Sequence, residues 1–468
     1  MSNERLTRAW TLALTSVAFF MVALDTLVVM TALPAIRRDL GASLATLEWT
    51  VNAFTLAFAA GITTAAALGD RSGRRRVFAI GLALFSASSA ACALAPTAAI
   101  LIAGRALQGA AAAMVMPLSL TILVAAFPPE RRGAIVGIWG GIGGLAVASG
   151  PLVGGAITQG LDWHWIFWVN VPIGLLATAL ALTRLVESRG PRTRLDFPAV
   201  ALVSAGAVCV VWGLVHAGEA GWLDPKTIAA LGIGVAALGG FLAWERRAAD
   251  PMLPLRLFSS RPFTAAIGTS FLMAGALTSA AFLISQYLQL ALGYSPLSTG
   301  LRLLPWTATP LLVAPLAGQL SDRIGRRPIL VAGMLLQGIG LGWFASLASV
   351  EVDYRRLVLP LIIAGVGVSM AMPVAPAAAL SAVSLQDMGK ASGVSSTLQR
   401  FGSAFGIAVA AAVFAAYGHL GSAAGFVAGF RPALGVAAGL SLLGATLALA
   451  IGPSPFAAVA AKPEAPAA

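Results

Sequence analysis

The sequence predicts an all-α integral membrane protein of fourteen transmembrane helices, arranged as two six-helix bundles with two helices inserted between them. Of the 468 residues, 58% are hydrophobic and only 10% are charged, and the mean hydropathy of +0.88 lies far outside the range of soluble globular proteins. Apolar stretches long enough to span a bilayer recur along the whole chain. A ten-residue turn, AALGDRSGRR at 66–75, returns as GQLSDRIGRR at 318–327, as a duplicated chain would show.

The first eight predicted spans follow from the apolar runs. The N-terminal six lie near residues 10–36, 46–68, 77–96, 98–127, 133–158 and 164–186. A polar stretch that includes Glu187, Arg189 and Asp196 then precedes two further spans, near 197–217 and 227–244. Because the two basic turns follow spans two and ten, an even number of crossings separates them, and both turns face the same side of the membrane.

The last six predicted spans follow a second polar connector, Glu245 to Arg261. They lie near residues 262–291, 297–320, 329–349, 357–381, 391–417 and 431–452. We therefore predict an N-terminal six-helix bundle over 1–190, two inserted helices with their connectors over 191–260, a C-terminal six-helix bundle over 261–455 and a disordered, Ala/Pro-rich tail over 456–468.

The distribution of basic residues predicts the orientation. Most of the 30 Lys and Arg residues fall in or beside the loops on one side, which the positive-inside rule assigns to the cytoplasm. The prediction is a multi-pass protein of the cell (inner or cytoplasmic) membrane with both termini in the cytoplasm. The net charge of +12 is then a topology signal, and no nucleic-acid partner is expected.

The composition also argues against an enzyme. Cys92 and Cys209 lie in separate apolar segments, the three histidines are scattered, and the sequence contains no phosphate-binding GxxxxGK[ST] string. We expect no metal site, no catalytic residues and no cofactor, with the energy coming from a proton gradient. The expected partners are a small-molecule substrate, protons and membrane lipid.

Asp25 is the strongest candidate for a mechanistic residue, because it lies in the middle of the first predicted span. A charged aspartate at a helix centre costs roughly +2.5 to +3.5 kcal/mol on insertion scales, and it is compensated by a cavity, a cationic partner or protonation. We predict that Asp25 carries the transported proton. The alternative is a structural aspartate satisfied by neighbouring polar groups.

Two arginines lie within predicted spans. Arg105, in span four, is the natural opposite charge for Asp25, and a guanidinium remains protonated in proteins. The alternative for Arg105 is a side chain that reaches toward a membrane face. Arg400, in span thirteen, is a second candidate, for which a role in a cavity and a packing role remain equally open.

Two kinds of motif suggest moving parts. Span five contains Gly150, Pro151, Gly154 and Gly155, whose small residues allow close helix contact and whose proline permits a kink, so it is either a conformational device or a packing seam. The repeated turns carry Asp70, Arg71, Gly73 and Arg74 in the first copy and Asp322, Arg323, Gly325 and Arg326 in the second. We predict that these turns form a charge latch; the alternative is that they only mark topology.

Taken together, these residues resemble the major facilitator superfamily, and most closely its fourteen-span drug:proton antiporter family, over essentially the whole chain. The turn at 66–75 is similar to the family's loop motif, with Ala66 where a glycine is usual. The resemblance implies that Asp70 and its neighbouring arginines latch the cytoplasmic side in the outward-open state. Arg105, Gln108 and Gly109 match the arginine motif that the family ties to proton coupling.

Other motifs of that family are also present. Gly150, Pro151, Gly154 and Gly155 match its span-five antiporter motif. The span-one motif is matched with Leu27 and Met30 in place of threonine and asparagine. The entry to span six, WHWIF followed by NVPIG, has His164 where an arginine is usual.

The resulting prediction is a proton-coupled efflux transporter for lipophilic small molecules, cationic ones included, that works by alternating access and gives drug resistance. Asp25 would carry the proton and sense cations, and Arg105 would modulate it. Candidate substrate contacts, for each of which helix packing is the alternative, are Asn52, Gln108, Gln286, Tyr287, Gln289, Trp306 and Arg400. The competing functions are a dedicated exporter or importer of one metabolite or self-made antibiotic, and a membrane sensor that does not transport.

Overall fold

A computed structural model describes residues 2–190, 196–248, 251, 253–384 and 387–452. Within these ranges every regular element is a helix. The tail predicted at 456–468 lies outside the described residues.

The N-terminal part forms seven helices that account for the first six predicted spans. They are α1 (Ser2–Leu40), α2 (Leu44–Ser72), α3 (Arg74–Ala93), α4 (Ala98–Ala126), α5 (Pro129–Gly160), α6 (Trp165–Trp168) and α7 (Asn170–Arg184). The predicted sixth span is divided at Val169 into the single turn α6 and the longer α7. Pro172 explains the division, because its ring excludes the carbonyl of Trp168 and it has no N–H to bond that carbonyl.

Nine further helices complete the described chain. They are α8 (Phe197–Ala220), α9 (Pro225–Glu245), α10 (Arg261–Gln286), α11 (Pro296–Thr307), α12 (Thr309–Ile324), α13 (Arg326–Leu347), α14 (Tyr354–Ser381), α15 (Met388–Tyr417) and α16 (Ala423–Ala448). A short 3₁₀ turn, Leu255–Ser259, precedes α10, and a π-helical turn, Tyr287–Ala291, extends it.

Thirteen helices in the described chain are long and apolar enough to cross a membrane. The span predicted at 297–320 is not among them because it is broken at Ala308 into α11 and α12, of 12 and 16 residues. Pro310 cannot bond the carbonyl of Trp306, which instead accepts a hydrogen bond of 2.7 Å from the Thr309 hydroxyl. Together α11 and α12 supply the length of the fourteenth span, so the fold class follows the prediction.

The helices pack mainly within the first seven and the last seven, α1–α7 and α10–α16. In the first group α4 packs on α2 and α3, and α5 packs on α1; in the second, α10 packs on α15 and α16, and α13 packs on α14. Two seams join the groups, one between α2 and α15 and one between α5 and α11. Helix α8 contacts both α2 and α15, and α9 packs on α8, so these two helices flank one seam.

The two ends of the molecule differ in how closely the halves approach. We call the end with the turns at 70–75 and 322–327 the basic-turn end, and the other the opposite end. At the opposite end, a Cβ added to Gly155 would collide with the Pro296 carbonyl, because α5 and α11 touch there. Nearer the basic-turn end of α5, a Cβ on Gly137 or Gly140 would meet no atom within 4 Å. The α5 seam is therefore tight at one end and open at the other.

Hydrogen bonds reinforce the closure at the opposite end. The Ser285 hydroxyl donates to the Met30 carbonyl at 3.0 Å, and the Gln289 amide donates to the Thr31 carbonyl at 2.9 Å. One bond links α1 to the end of α10, and the other links α1 to the π-helical turn that follows α10. They hold the two halves together where the α5 seam is also tight.

Candidate functional site

A buried ion pair lies within the first group of helices. Asp25 of α1 and Arg105 of α4 are only 2% and 1% exposed, and Arg105 Nη1 lies 2.5 Å from Asp25 Oδ2. This pairing across two helices was expected from the sequence, and the fold brings the two groups into direct contact. An ion pair so deeply buried is stable only if its remaining donors and acceptors also find partners.

The second carboxylate oxygen of Asp25 has its own donors. Gln108 Nε2 donates to Asp25 Oδ1 at 2.9 Å, and Asn170 Nδ2 donates to the same oxygen at 3.0 Å. The Ser89 hydroxyl accepts from both amides, at 3.3 and 3.2 Å, and donates to the Phe167 carbonyl at 2.9 Å. Helices α1, α3, α4 and α7 thus meet at one carboxylate.

Arg105 is held on its other sides as well. Its Nε donates to the Thr50 carbonyl at 3.2 Å and its Nη1 donates to Gln108 Oε1 at 2.5 Å. The guanidinium carbon lies 4.3 Å from the centroid of the Phe54 ring, in a cation–π contact. Gly109 allows this approach, since a Cβ there would collide with the Phe54 backbone.

Asn170 and Ser89 belong to this network, although the sequence analysis did not select them. Both are buried, at 2% and 0% exposure. Asn170 begins the NVPIG string, and its amide within an apolar span was a usable signal. Ser89 carried no comparable signal, because serines are common in membrane helices and only the facing of α3 shows its role.

The candidate substrate contacts at the end of α10 and in the π-helical turn after it form hydrogen bonds with other parts of the protein. The Tyr287 hydroxyl donates to the Ser349 carbonyl at 2.7 Å, and its ring stacks on Phe430 with 4.4 Å between centroids. Gln289 bonds α1 across the closed end, as described above. Gln286 donates from Nε2 to the Phe282 carbonyl at 3.3 Å, while its Oε1 is buried without a partner among the described atoms.

The remaining candidates lie elsewhere in the bundle. Asn52 of α2 is fully buried, and neither of its amide atoms has a hydrogen-bond partner in the described part of the chain. Trp306 of α11 is 3% exposed, and its indole N–H is likewise unpartnered there. Arg400 of α15 lies over the Phe58 ring of α2, with 4.3 Å from its guanidinium carbon to the centroid. The structure therefore gathers Gln108 with Asp25 and Arg105 and leaves the other candidates apart from them.

The span-five motif forms a contact among three helices. A Cβ on Gly150 would lie 2.7 Å from the Leu27 Cβ of α1, and one on Gly154 would collide with the Thr31 hydroxyl. On the other side, Gly155 faces the Pro296 carbonyl, and the Pro151 carbonyl faces Gly300 of α11. The motif thus joins α5 to both halves at the closed end.

We expect Gly155→Leu to open the closed end, because the added side chain cannot share space with the Pro296 carbonyl. Spin labels at Leu161→Cys and Glu351→Cys, introduced with both native cysteines replaced, should show a longer distance between the halves. Gly160→Leu is the control, since a Cβ at Gly160 would meet nothing within 4 Å. An unchanged distance in the Gly155 variant would contradict the assignment of this contact as the closing seam.

The two basic turns are not equivalent. In the first, Arg74 Nη2 lies 2.7 Å from Asp70 Oδ1, and the Arg75 backbone N–H donates to Glu187 Oε1 at 2.9 Å. The Gly190 N–H also donates to the Asp70 carbonyl at 3.2 Å, so the segment after α7 closes over this turn. In the second turn Asp322 is exposed and forms no ion pair with any described residue. Only the first copy has the charge pairing expected of a latch.

The glycines of the two turns provide a matched comparison. Gly73 and Gly325 have φ of 112° and 93°, values that side chains tolerate poorly. A Cβ on Gly73 would lie 2.7 Å from the Glu187 carboxyl carbon, whereas the nearest atom at Gly325 is 4.0 Å away. Backbone strain of this kind costs on the order of 1–3 kcal/mol. We expect Gly73→Ala to lower the melting temperature more than Gly325→Ala does; equal decreases would show that Glu187 does not press on the first turn.

Comparison with known proteins identifies the family. The family model of the Major Facilitator Superfamily matches residues 15–308 and 266–467. The chain belongs to the major facilitator superfamily. A membrane transporter of this superfamily is not an enzyme, and the helices described above are those of a multi-pass membrane protein.

Characterised relatives are resistance and export proteins. The chain is 36% identical over 405 residues to the tetracenomycin C resistance and export protein of Streptomyces glaucescens, covering 86% of this chain and 75% of that one. It is 35% identical to the puromycin resistance protein pur8 of Streptomyces alboniger, covering 94% and 90%. It is also 35% identical to the multidrug resistance protein Stp of Mycobacterium tuberculosis, covering 88% and 76%.

Solved structures agree on the fold. A crystal structure of the peptide transporter POT in complex with sulfate superposes with a TM-score of 0.69 at 17% identity, covering 94% of both chains. At this identity the likeness concerns the major-facilitator fold alone.

Proposed function

We propose that this major-facilitator protein exports lipophilic small molecules in exchange for protons by alternating access. The observation that carries the proposal is the buried Asp25–Arg105 pair, in which three side chains, those of Arg105, Gln108 and Asn170, donate hydrogen bonds to a carboxylate inside a membrane bundle. Intramembrane carboxylates commonly mark proton pathways. Resistance and export relatives that match most of the chain support export as the direction.

The geometry suggests how a proton acts at this site. While Asp25 is ionised it accepts hydrogen bonds from Arg105, Gln108 and Asn170, which stabilises the charge. A proton on Asp25 would remove that charge and weaken its attraction for Arg105. Since these residues come from α1, α4 and α7, a change at the carboxylate alters contacts among three helices.

The conformation fits one stage of the cycle. We assign the basic-turn end to the cytoplasm on the positive-inside rule, with both termini on that side and the protein in the cell membrane. The halves are closed at the opposite end, so this state faces the cytoplasm. An ionised Asp25 paired with Arg105 corresponds to the stage after proton release, when an exporter takes up its substrate from the cytoplasm.

The first basic turn is proposed as half of a conformational latch. Asp70 pairs with Arg74 of its own turn in this state, and the matching Asp322 is exposed. Closure of the basic-turn end would bring other charged groups to these carboxylates. The two turns place these charges at the ends of α2 and α12. When the halves move relative to each other, the distance between the two turns changes most at this end of the molecule.

Transport in proteoliposomes tests this proposal. Vesicles with an acidic interior should accumulate a lipophilic dye through inside-out protein, and a protonophore should abolish the accumulation. The panel should contain cationic, neutral and anionic aromatic compounds, with protein-free vesicles as the control. If no compound shows gradient-dependent accumulation, proton antiport is the wrong mechanism.

A second candidate is a dedicated exporter of a single antibiotic. The names of the tetracenomycin C and puromycin relatives, each tied to one compound, support it, whereas the name of the multidrug relative Stp supports a broader range. The same panel separates the two, because a dedicated exporter would accumulate one chemical class only. A non-transporting sensor would accumulate none.

A further inference from the structure

We propose that Arg400 forms a subsite for an acidic group on the transported compound, so that preferred substrates carry a carboxylate, sulfonate or phenolate on an aromatic body. The inference rests on the proposed export function and adds the charge of the substrate. It is carried by the position of the Arg400 guanidinium, by its lack of an anionic partner and by its link to the proton site.

Arg400 is deep within its span. It lies ~18 Å along the axis of α15 from Met388, the first helical residue, at about 1.5 Å per residue. Its guanidinium does not extend toward a membrane face but lies over the ring of Phe58, near the middle of α2. The side chain therefore crosses the α2–α15 seam, one of the two seams between the halves, and the residue remains partly exposed there.

The charge of Arg400 is not balanced by the protein. Unlike Arg105, which has Asp25, Arg400 makes no ion pair or hydrogen bond with the residues that the structure describes. The buried carboxylate of α2, Glu48, is ten residues from Phe58, ~15 Å along the helix. A cation–π contact compensates only part of the cost of desolvating a cation. A bound anion would supply the rest.

The same geometry disfavours a cationic substrate. Both carboxylate oxygens of Asp25 already accept hydrogen bonds, and its exposure of 2% leaves no free face for a cation. At the middle of the seam, beside Phe58, the charge is the positive charge of Arg400. A lipophilic cation there would meet repulsion, whereas an aryl acid would find a guanidinium beside an aromatic ring.

Arg400 is also connected to the proton site through two aromatic rings, those of Phe58 and Phe54. The Phe58 ring meets the Phe54 ring edge to face, with 5.9 Å between centroids and 76° between planes. Phe54 in turn lies under Arg105, 4.3 Å from its guanidinium carbon. An anion that draws Arg400 away from Phe58 changes the packing on a ring that contacts Phe54. Substrate and proton sites thus share one continuous row of side chains, as an exchange mechanism requires.

Binding of two matched dyes to the protein in lipid nanodiscs tests the proposal. The dyes 8-anilinonaphthalene-1-sulfonate and N-phenyl-1-naphthylamine share one aromatic skeleton and differ by the sulfonate. With empty nanodiscs subtracted, the wild type should bind the sulfonate more tightly. Arg400→Gln should weaken binding of the sulfonate at least tenfold and leave the neutral dye within twofold, while Arg400→Lys should lie between. Retained binding of the neutral dye shows that the variant is folded.

Arg302→Gln is the matched control, because Arg302 also lies over an aromatic ring, 3.8 Å from the Tyr294 centroid, but at the opposite end. It should change neither affinity more than twofold. Wild-type protein that binds the sulfonate no better than the neutral dye, or an Arg400→Gln variant that loses both dyes equally, would overturn the proposal. Since binding is measured without a gradient, this result is independent of whether transport is proton-driven.

Discussion

Replacing Asp25 by asparagine is expected to reduce gradient-driven accumulation in proteoliposomes at least tenfold, to the level seen without a gradient. Asparagine has nearly the same shape, and its oxygen can accept either from Arg105 or from Gln108 and Asn170, but its amide nitrogen only donates, and the side chain cannot bind and release a proton near neutral pH. Because Arg105 keeps its buried charge, this variant also loses stability, and accumulation is therefore compared at equal amounts of folded protein. Downhill exchange of labelled substrate across the same vesicles should persist, because the substrate path is not altered.

Asp39→Asn is the control for this experiment. Asp39 accepts a hydrogen bond of 2.9 Å from the Trp163 indole at the opposite end of α1, and an asparagine oxygen can accept the same bond. That variant should transport at the wild-type rate. If Asp25→Asn also responded to the gradient at the wild-type rate, the proton would be carried elsewhere, although the protein would remain an exporter.

The spans were predictable because hydropathy and length depend on composition, which the sequence contains directly. The breaks at Val169 and Ala308 were missed, although Pro172 and Pro310 marked both. A proline within an apolar run is compatible with a kinked, continuous membrane helix as well as with a break. Only the packing of neighbouring helices decides between these outcomes.

The charged centre was predictable in part. Asp25 and Arg105 stand out because ionised groups in a bilayer are costly, so each predicts its partner. Neutral polar residues carry no such signal, and the facing of a helix cannot be read from an almost uniformly apolar sequence. This is why Ser89 was missed and why Tyr287, a candidate substrate contact, proved to be bonded to Ser349 within the core. The two turns are similar in sequence, and Glu187 is more than a hundred residues away from the first. The sequence therefore did not indicate that Glu187 contacts only the first turn.

The Asp25–Arg105 pair is also expected to dominate the stability of the N-terminal helices. Arg105→Gln would leave the Asp25 carboxylate buried at 2% exposure with no cation beside it. Removing one partner of a buried pair typically costs about 3–5 kcal/mol, because the remaining charge stays desolvated. We expect a loss of that size in the free energy of unfolding, measured by SDS titration in mixed micelles, together with loss of gradient-driven transport.

The double variant Asp25→Asn with Arg105→Gln separates stability from function. With both charges removed, neither group remains as an uncompensated ion, and the amides can bond to each other and to Gln108. The double variant should therefore be more stable than Arg105→Gln alone, by most of the original loss, and a double-mutant cycle gives the coupling between the residues. Transport should not recover, because the carboxylate proposed to carry the proton is gone. If the two losses of stability were simply additive, the ion pair would not hold the bundle together, and its conformational role would have to be assigned to the hydrogen bonds of Asn170 and Ser89 instead.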